Sequence, residues 1–333
     1  MPDFPDFCSL VGSGTGRLAA VLAVLAALGL LGLALLPGSL AARLAPAPER
    51  LAARRLVARQ ALGQLLFFEP ALSGNGKRSC ASCHRPEKAF CDQRALPRAL
   101  RFTQNLDRNS PSLLNASEQA TFFHDGRANS LAAVVRAVLT SPREFGSSYA
   151  EATGRLDSSP EYRQRFAAAF GPGAGPDSVR LVAALATYLG TLTSRQAAYD
   201  QALRGGLPLD TAAQAGARLF AGEAGCARCH GGPLFRDGQR HAVGPGQWVK
   251  TPSLRNVAAT MPYGADGRYS TVAAVLAAPF HRAQQPQPLA GAQVRQLTMF
   301  LAALTDTAVA GRGRPAALPA LPALPDRAVG GLY

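Results

Sequence analysis

The apolar positions of the chain fall mostly at helical spacing. In residues 49–67 (ERLAARRLVARQALGQLLF) they recur near i, i+3 and i+4, and the spacing returns at 178–193, 211–220 and 292–304. Each stretch is predicted to be a helix with one buried face. Residues 129–139 (NSLAAVVRAVL) and 270–278 (STVAAVLAA) begin with helix N-caps, Ser130 and Ser270 or Thr271. Their hydroxyls can satisfy N–H groups that a first helical turn leaves unpaired. Segments 171–177 (GPGAGPD) and 241–247 (HAVGPGQ) read as loops from their Gly and Pro. After about Ala310 the sequence GRGRPAALPALPALPDRAVGG cannot build a core, so 310–333 is expected to be a mobile Pro/Ala-rich tail. The fold class is mainly α.

One stretch is too apolar for a globular surface. Leu18 to Leu36 is 19 residues without a polar side chain, preceded by Arg17. At about 1.5 Å per residue it nearly crosses a bilayer core. It reads as an uncleaved membrane anchor, or as a secretory segment with Ser39-Leu40-Ala41 as its small-x-small cleavage site. The long, weakly basic segment before it favours the anchor. Residues 1–45 are therefore a signal or anchor segment. The remainder is expected on the periplasmic side, held at the inner membrane by 18–36 or soluble after cleavage.

The chain carries 35 basic and 21 acidic residues, a formal charge of +14. Export and the lack of a dense Lys/Arg cluster argue against nucleic acid as a partner. A basic surface that steers acidic electron donors or anionic lipid is the alternative to plain solvation. Four of the six cysteines lie in two motifs, Cys80-Ala-Ser-Cys83-His84 and Cys226-Ala-Arg-Cys229-His230, leaving Cys8 and an unexplained Cys91. Cys-x-x-Cys-His is the attachment pattern of c-type haem: the thiols add to the vinyl groups and the histidine ligates the iron. A closed zinc site would need the two halves to pool ligands. Two covalently bound haems c are therefore expected.

The halves repeat each other. Ser110-Pro-Ser-Leu-Leu-Asn115 matches Thr251-Pro-Ser-Leu-Arg-Asn256 at an offset of 141. Asp125-Gly-Arg127 matches Asp266-Gly-Arg268, and Leu131-Ala-Ala-Val134 matches Val272-Ala-Ala-Val275, at the same offset. This predicts two haem domains related by internal duplication, a first over 50–200 and a second over 205–309.

Counting sixth ligands separates the haems. A haem that only carries electrons usually has both axial positions filled, and one that acts on a small molecule leaves one open. The first half holds no Met, and apart from His84 its one histidine is His124. Haem 1 is thus five-coordinate or ligated by His124. His124 precedes the shared Asp-Gly-Arg, which favours an inter-haem position over ligation. Haem 2 has His241, His281, Met261 and Met299 to choose from. Met299 reads as a core residue, Met261 sits near the repeat's loop, and His281 is favoured as sixth ligand. Where His281 follows its helix, the first half runs on to Glu144 in SPREFG.

The blocks LGQLLFFEPALSGNGKRSCASCHRPEKAF, RNSPSLLNA, FFHDGRANSL, GCARCHGGPLFRDG and TPSLRNVAATMPYGADGRYST resemble the bacterial di-haem cytochrome c peroxidases, in that family's order. The group includes the di-haem enzyme that matures tryptophan tryptophylquinone. The resemblance covers roughly residues 55–305 and implies two class I cytochrome c-like domains, chemistry at the first (peroxidatic) haem and electron entry at the second. It implies Glu144 as the catalytic carboxylate, and a calcium ion held by Asn109 with the carbonyls of Thr260 and Pro262. The sequence departs from the family pattern at four places. Val134 replaces a glutamine, His124 a tryptophan between the haems, and Pro279 the usual Met or Tyr ligand of haem 2. Near Leu100 no histidine stands to close haem 1. The leading expectation is a cytochrome-c peroxidase whose partners are H2O2 and a small electron donor (a cytochrome c or a cupredoxin), with a homodimer as an open alternative. The competing readings are a di-haem oxidase of a protein or organic substrate, and a membrane-anchored electron-transfer cytochrome.

Overall fold

The computed structural model describes residues 47–309 and 313–332. The apolar run 18–36, its cleavage site and Cys8 lie outside the described residues. Among the described residues no helix is long and apolar enough to cross a membrane. From Leu56 onward the described residues form one compact unit; the earlier turns of the first helix, Ala47–Arg54, are exposed.

In the first half, helix α1 (Ala47–Phe67) leads through short turns and the first haem motif to α2 (Leu131–Thr140), α3 (Tyr149–Asp157), α4 (Pro160–Phe170) and α5 (Ser178–Leu189). Their apolar faces meet in a core that includes Leu66, Phe67, Phe90, Leu156, Phe166 and Leu185. Helix α6 (Ala198–Leu203) leads into the second half, which holds α7 (Thr211–Ala221), β1 (Arg240–Gly244), β2 (Gln247–Lys250), α8 (Val272–Ala277), α9 (Pro279–Gln284) and α10 (Gly291–Ala302). A separate core gathers around Phe220, Phe235, Leu297 and Phe300. The helices start where capping chemistry allows. Ser130 Oγ accepts from Ala133 N at 3.1 Å, and Thr271, the alternative to Ser270, caps α8 through Ala274 N.

Each half has a glycine where two helices touch backbone to backbone. A Cβ on Gly63 of α1 would lie 2.0 Å from Ala184 O of α5, and one on Gly216 of α7 would lie 2.0 Å from Gln296 O of α10. In both halves the helix ahead of the haem motif thus crosses a later helix at a distance only glycine allows. Local geometry also recurs at the offset of 141. Asn115 (φ 57°) and Asn256 (φ 60°) take the left-handed conformation before a short turn. The bridges Phe122–Ala128 and Tyr263–Tyr269 follow, and then α2 and α8.

Two expectations need correction. The segment 241–247, read as a loop, is a hairpin in which Arg240 pairs Lys250 and Ala242 pairs Trp248. Its Gly and Pro form the turn between short strands rather than a free loop. The expected mobile tail is docked over its described part, 313–332. Arg327 donates to the fully buried Glu69 at 2.6 and 2.9 Å, and Tyr162 donates to the same carboxylate at 2.5 Å. Leu321 enters the first core. Gly330 O accepts from Ser79 Oγ and Ser82 Oγ, and Leu332 N–H donates to Lys77 O. The Pro/Ala run builds no core of its own; one buried ion pair and a row of backbone bonds fasten it to an existing one.

Gly216→Ala is expected to cost about 1–3 kcal/mol by overpacking. Gly154→Ala in α3, where nothing lies within 4 Å, should gain up to about 1 kcal/mol from helix propensity; thermal unfolding of both variants checks the contrast. Arg327→Met leaves Glu69 buried and without its cation, and is expected to cost about 3–5 kcal/mol in the same assay.

Candidate haem and proton-transfer site

Each haem motif is a tight turn closed by its own backbone. His84 N–H donates to Cys80 O at 2.9 Å, and His230 N–H donates to Cys226 O at 2.9 Å. The imidazoles are oriented alike: His84 Nδ1 lies 3.0 Å from Phe90 O and His230 Nδ1 lies 3.1 Å from Phe235 O. A carbonyl only accepts, so in both rings the proton sits on Nδ1 and the Nε2 lone pair is left for a metal. Burial lowers the pKa of both histidines and keeps them neutral. Burial also pushes the Cys80 thiol up to about 12 and the Cys83 thiol to about 11. Thiols at this spacing beside a neutral imidazole with a free Nε2 fit a covalently attached haem c in each half.

On the first-half side, α2 ends at Ser141 and the chain turns sharply: Glu144 N–H and Gly146 N–H both donate to Ser141 O. Gly74 N–H donates to Phe145 O and Leu100 N–H to Arg143 O, which hold the turn of the half-buried Glu144 beside the segment leading into the motif; its charge adds to burial in raising the Cys80 and Cys83 thiols. Burial holds the Glu144 carboxyl above its ordinary value, opposed by a hydrogen bond with Ser141 and by the charges of Arg127, Arg78 and Arg143. Val134 of α2 packs with the Phe122–Ala128 cluster. His124 Nε2–H donates to Asn109 O at 2.9 Å, and His124 O accepts from Lys250 N–H of β2. His124 therefore sits where the first-half loop meets the second-half hairpin.

On the second-half side, α8 ends at Ala278 and Pro279 opens α9, which carries His281. His281 is half-buried, and burial first, then the nearby His230, lower its pKa. His241 is also near His230, but its Nε2 is committed to Asp237 Oδ2 at 2.7 Å. Both methionines stand out from the core: Met261 is 45% and Met299 44% exposed. The reading of Met299 as a core residue is thereby corrected, because Leu297, Phe300 and Leu301 take the buried face of α10.

Asn109 N–H donates to Ala265 O, and Asn109 Nδ2 donates to Arg94 O at 2.7 Å. The loops holding Asn109, Thr260 and Pro262 thus meet, with neutral oxygens as donors. Thr260 Oγ1 donates to Val257 O. Among the described residues the cluster of three His, Cys or carboxylate ligands is Cys229, Asp237 and His241, away from those loops in sequence. Cys91 is a buried thiol donating to Lys88 O. Sequence reasoning missed Arg78 and Lys250. Arg78 is 2% exposed with Nη1 3.2 Å from Cys83 Sγ. Lys250 gives its buried ammonium to Gln119 Oε1 and Thr121 O, and burial lowers its pKa to about 8. No motif marks either residue; only the fold buries them.

A family model of the di-haem cytochrome c peroxidases matches residues 57–207, and a cytochrome c model matches 213–309. The methylamine utilization protein MauG of Methylorubrum extorquens is 37% identical over 65% of this chain and 67% of its own length. Cytochrome c551 peroxidase of Nitrosomonas europaea is 31% identical over 63% of this chain and 69% of its own. A crystal structure of a MauG-like protein associated with microbial copper homeostasis superposes with a TM-score of 0.71 and 26% identity, covering 77% of this chain and 91% of that one. With two Cys-x-x-Cys-His turns of like geometry inside these matches, the chain belongs to the di-haem cytochrome c peroxidase family.

Proposed function

We propose that the protein is an exported di-haem c-type peroxidase in which H2O2, two electrons and two protons give two waters. Electrons arrive at haem 2 from a small donor protein, a cytochrome c or a cupredoxin, and pass to haem 1. The observation that carries this reading is the unlike partner offered to each motif: a half-buried carboxyl, Glu144, toward Cys80 and Cys83, and an imidazole, His281, toward His230. Haem 1, once attached, supplies the iron that delivers electrons into the O–O bond. Glu144 takes the proton from one peroxide oxygen and returns it to the other, so that water rather than hydroxide leaves. Burial raises its pKa, opposed by Ser141 and by the charges of Arg127, Arg78 and Arg143. His281 would supply the second ligand of a haem held through His230, which would suit that haem to carrying electrons. Calcium on Asn109, Thr260 and Pro262, and anchoring at the inner membrane through 18–36, belong to the same proposal.

A second reading, in which the same oxidant is turned on a protein or organic substrate, is favoured by one observation. The 37% identity to MauG comes with Val134 and Pro279 in place of the peroxidase pattern.

Glu144→Gln is expected to lower H2O2 turnover by about a hundredfold or more, with the haem content and visible spectrum unchanged; turnover within threefold of the parent would remove Glu144 from the proton path. As a base Glu144 works deprotonated. Turnover should therefore fall as pH drops through its pKa, with a midpoint above the ordinary carboxylate range, and Glu144→Gln should erase that limb. His281→Ala is expected to open haem 2 and turn its visible spectrum from low-spin to high-spin. An unchanged spectrum would assign the ligand elsewhere.

A further inference from the structure

Arg78 is a buried cation of the first half whose contact with the haem-attachment turn goes beyond its effect on Glu144. Its side chain lies between the haem-attachment turn and the segment 97–106. Nη1 is 3.2 Å from Cys83 Sγ, Nη2 donates to Ala99 O at 3.0 Å, and the guanidinium stacks on Phe102 at 4.8 Å from the ring centre. Nε is buried without a partner. The residue is tied down at its backbone: Arg78 N–H donates to Ser73 Oγ, and Arg78 bridges Gly331 of the docked C-terminal segment.

Its partners are neutral. The other deeply buried arginines are matched by carboxylates, Arg255 with Asp200 and Arg327 with Glu69; among the described residues no carboxylate forms an ion pair with Arg78. The acids nearest the Cys83 side are Glu144 and Asp92, and neither is in ion-pair contact with Arg78. Arginine cannot shed its proton at accessible pH, so the charge is permanent. Burying such a charge unpaired is costly, and the fold nevertheless fixes it against a sulfur that becomes a haem thioether.

We propose that Arg78 sets the reduction potential of haem 1. A fixed positive charge beside the thioether edge stabilises the ferrous form, which carries one positive charge fewer than the ferric form. It therefore raises the potential of haem 1 and draws electrons from haem 2 toward the side that Glu144 faces. Burial and local charge are among the levers a protein has on a haem potential; here the lever is a single cation in a poorly screened position. The inference rests on the assignment of Cys80, Cys83 and His84 to haem 1, and it holds whether the physiological oxidant acts on peroxide alone or on a further substrate.

Spectroelectrochemical titration of the full-length, haem-loaded protein decides the matter. Arg78→Gln removes the charge and keeps a donor for Ala99 O. The one-electron midpoint of haem 1 should fall by the equivalent of at least tenfold in the electron-transfer equilibrium, 59 mV, while that of haem 2 stays in place. Arg78→Lys keeps the charge, loses the planar fork, and should stay close to the parent. If Arg78→Gln does not take up haem, Arg78→Met supplies the neutral comparison at similar volume. An unmoved haem 1 midpoint in the neutral variant would overturn the proposal, and so would an equal shift in Arg78→Lys, which would make the residue a packing clamp. A parent protein whose two haems both prove six-coordinate would instead overturn the peroxidase reading, and the comparison of midpoints would still decide the role of Arg78.

Discussion

Everything functional in this chain depends on one small constraint made in both halves: the imidazole of each Cys-x-x-Cys-His turn gives its Nδ1 proton to a backbone carbonyl a few residues on. That bond fixes tautomer and ring orientation together, and it leaves Nε2 as the free donor to a metal. Burial reinforces it by keeping both rings neutral. The carbonyl acceptors belong to Phe90 and Phe235, whose own side chains lie in the two cores. Ligand orientation and core packing are thereby coupled through a single residue in each half.

From this common base the halves diverge. The first places an acid and the buried Arg78 near the motif; the second places an imidazole. The helix that begins with Ser130 or Thr271 ends differently in the two cases. In the first half α2 continues to Thr140, and the turn after it carries Glu144. In the second, α8 stops at Ala277 and Pro279 starts a new helix that brings His281 inward. Proline at the first helical position costs nothing there and cannot continue the preceding helix. One residue type thus changes what the second half offers to its haem.

Most of the helices and both haem turns were legible in the sequence, because apolar spacing and N-cap residues are local signals. The repeat sets Glu144 and His281 after corresponding helices, and the structure places them in the turn after α2 and in the helix after α8. The rest required tertiary information. The docked C-terminal segment looks mobile by composition, since the Glu69–Arg327–Tyr162 contact joins residues more than two hundred positions apart and no local pattern announces it. The hairpin 240–250 was hidden because its strands are only five and four residues long and the Gly and Pro of its turn dominate the local pattern. Arg78 carried no signal either: an arginine two residues before a cysteine is ordinarily solvated, and only the stacking of Phe102 and the carbonyl of Ala99 bury it.

The difference between the two motifs is the central claim, and low-temperature EPR of the fully oxidised, haem-loaded protein tests it most directly. One high-spin and one low-spin ferric signal of equal weight are expected, from an open haem 1 beside a closed haem 2. Two low-spin signals would contradict that difference and return the chain to the electron carriers.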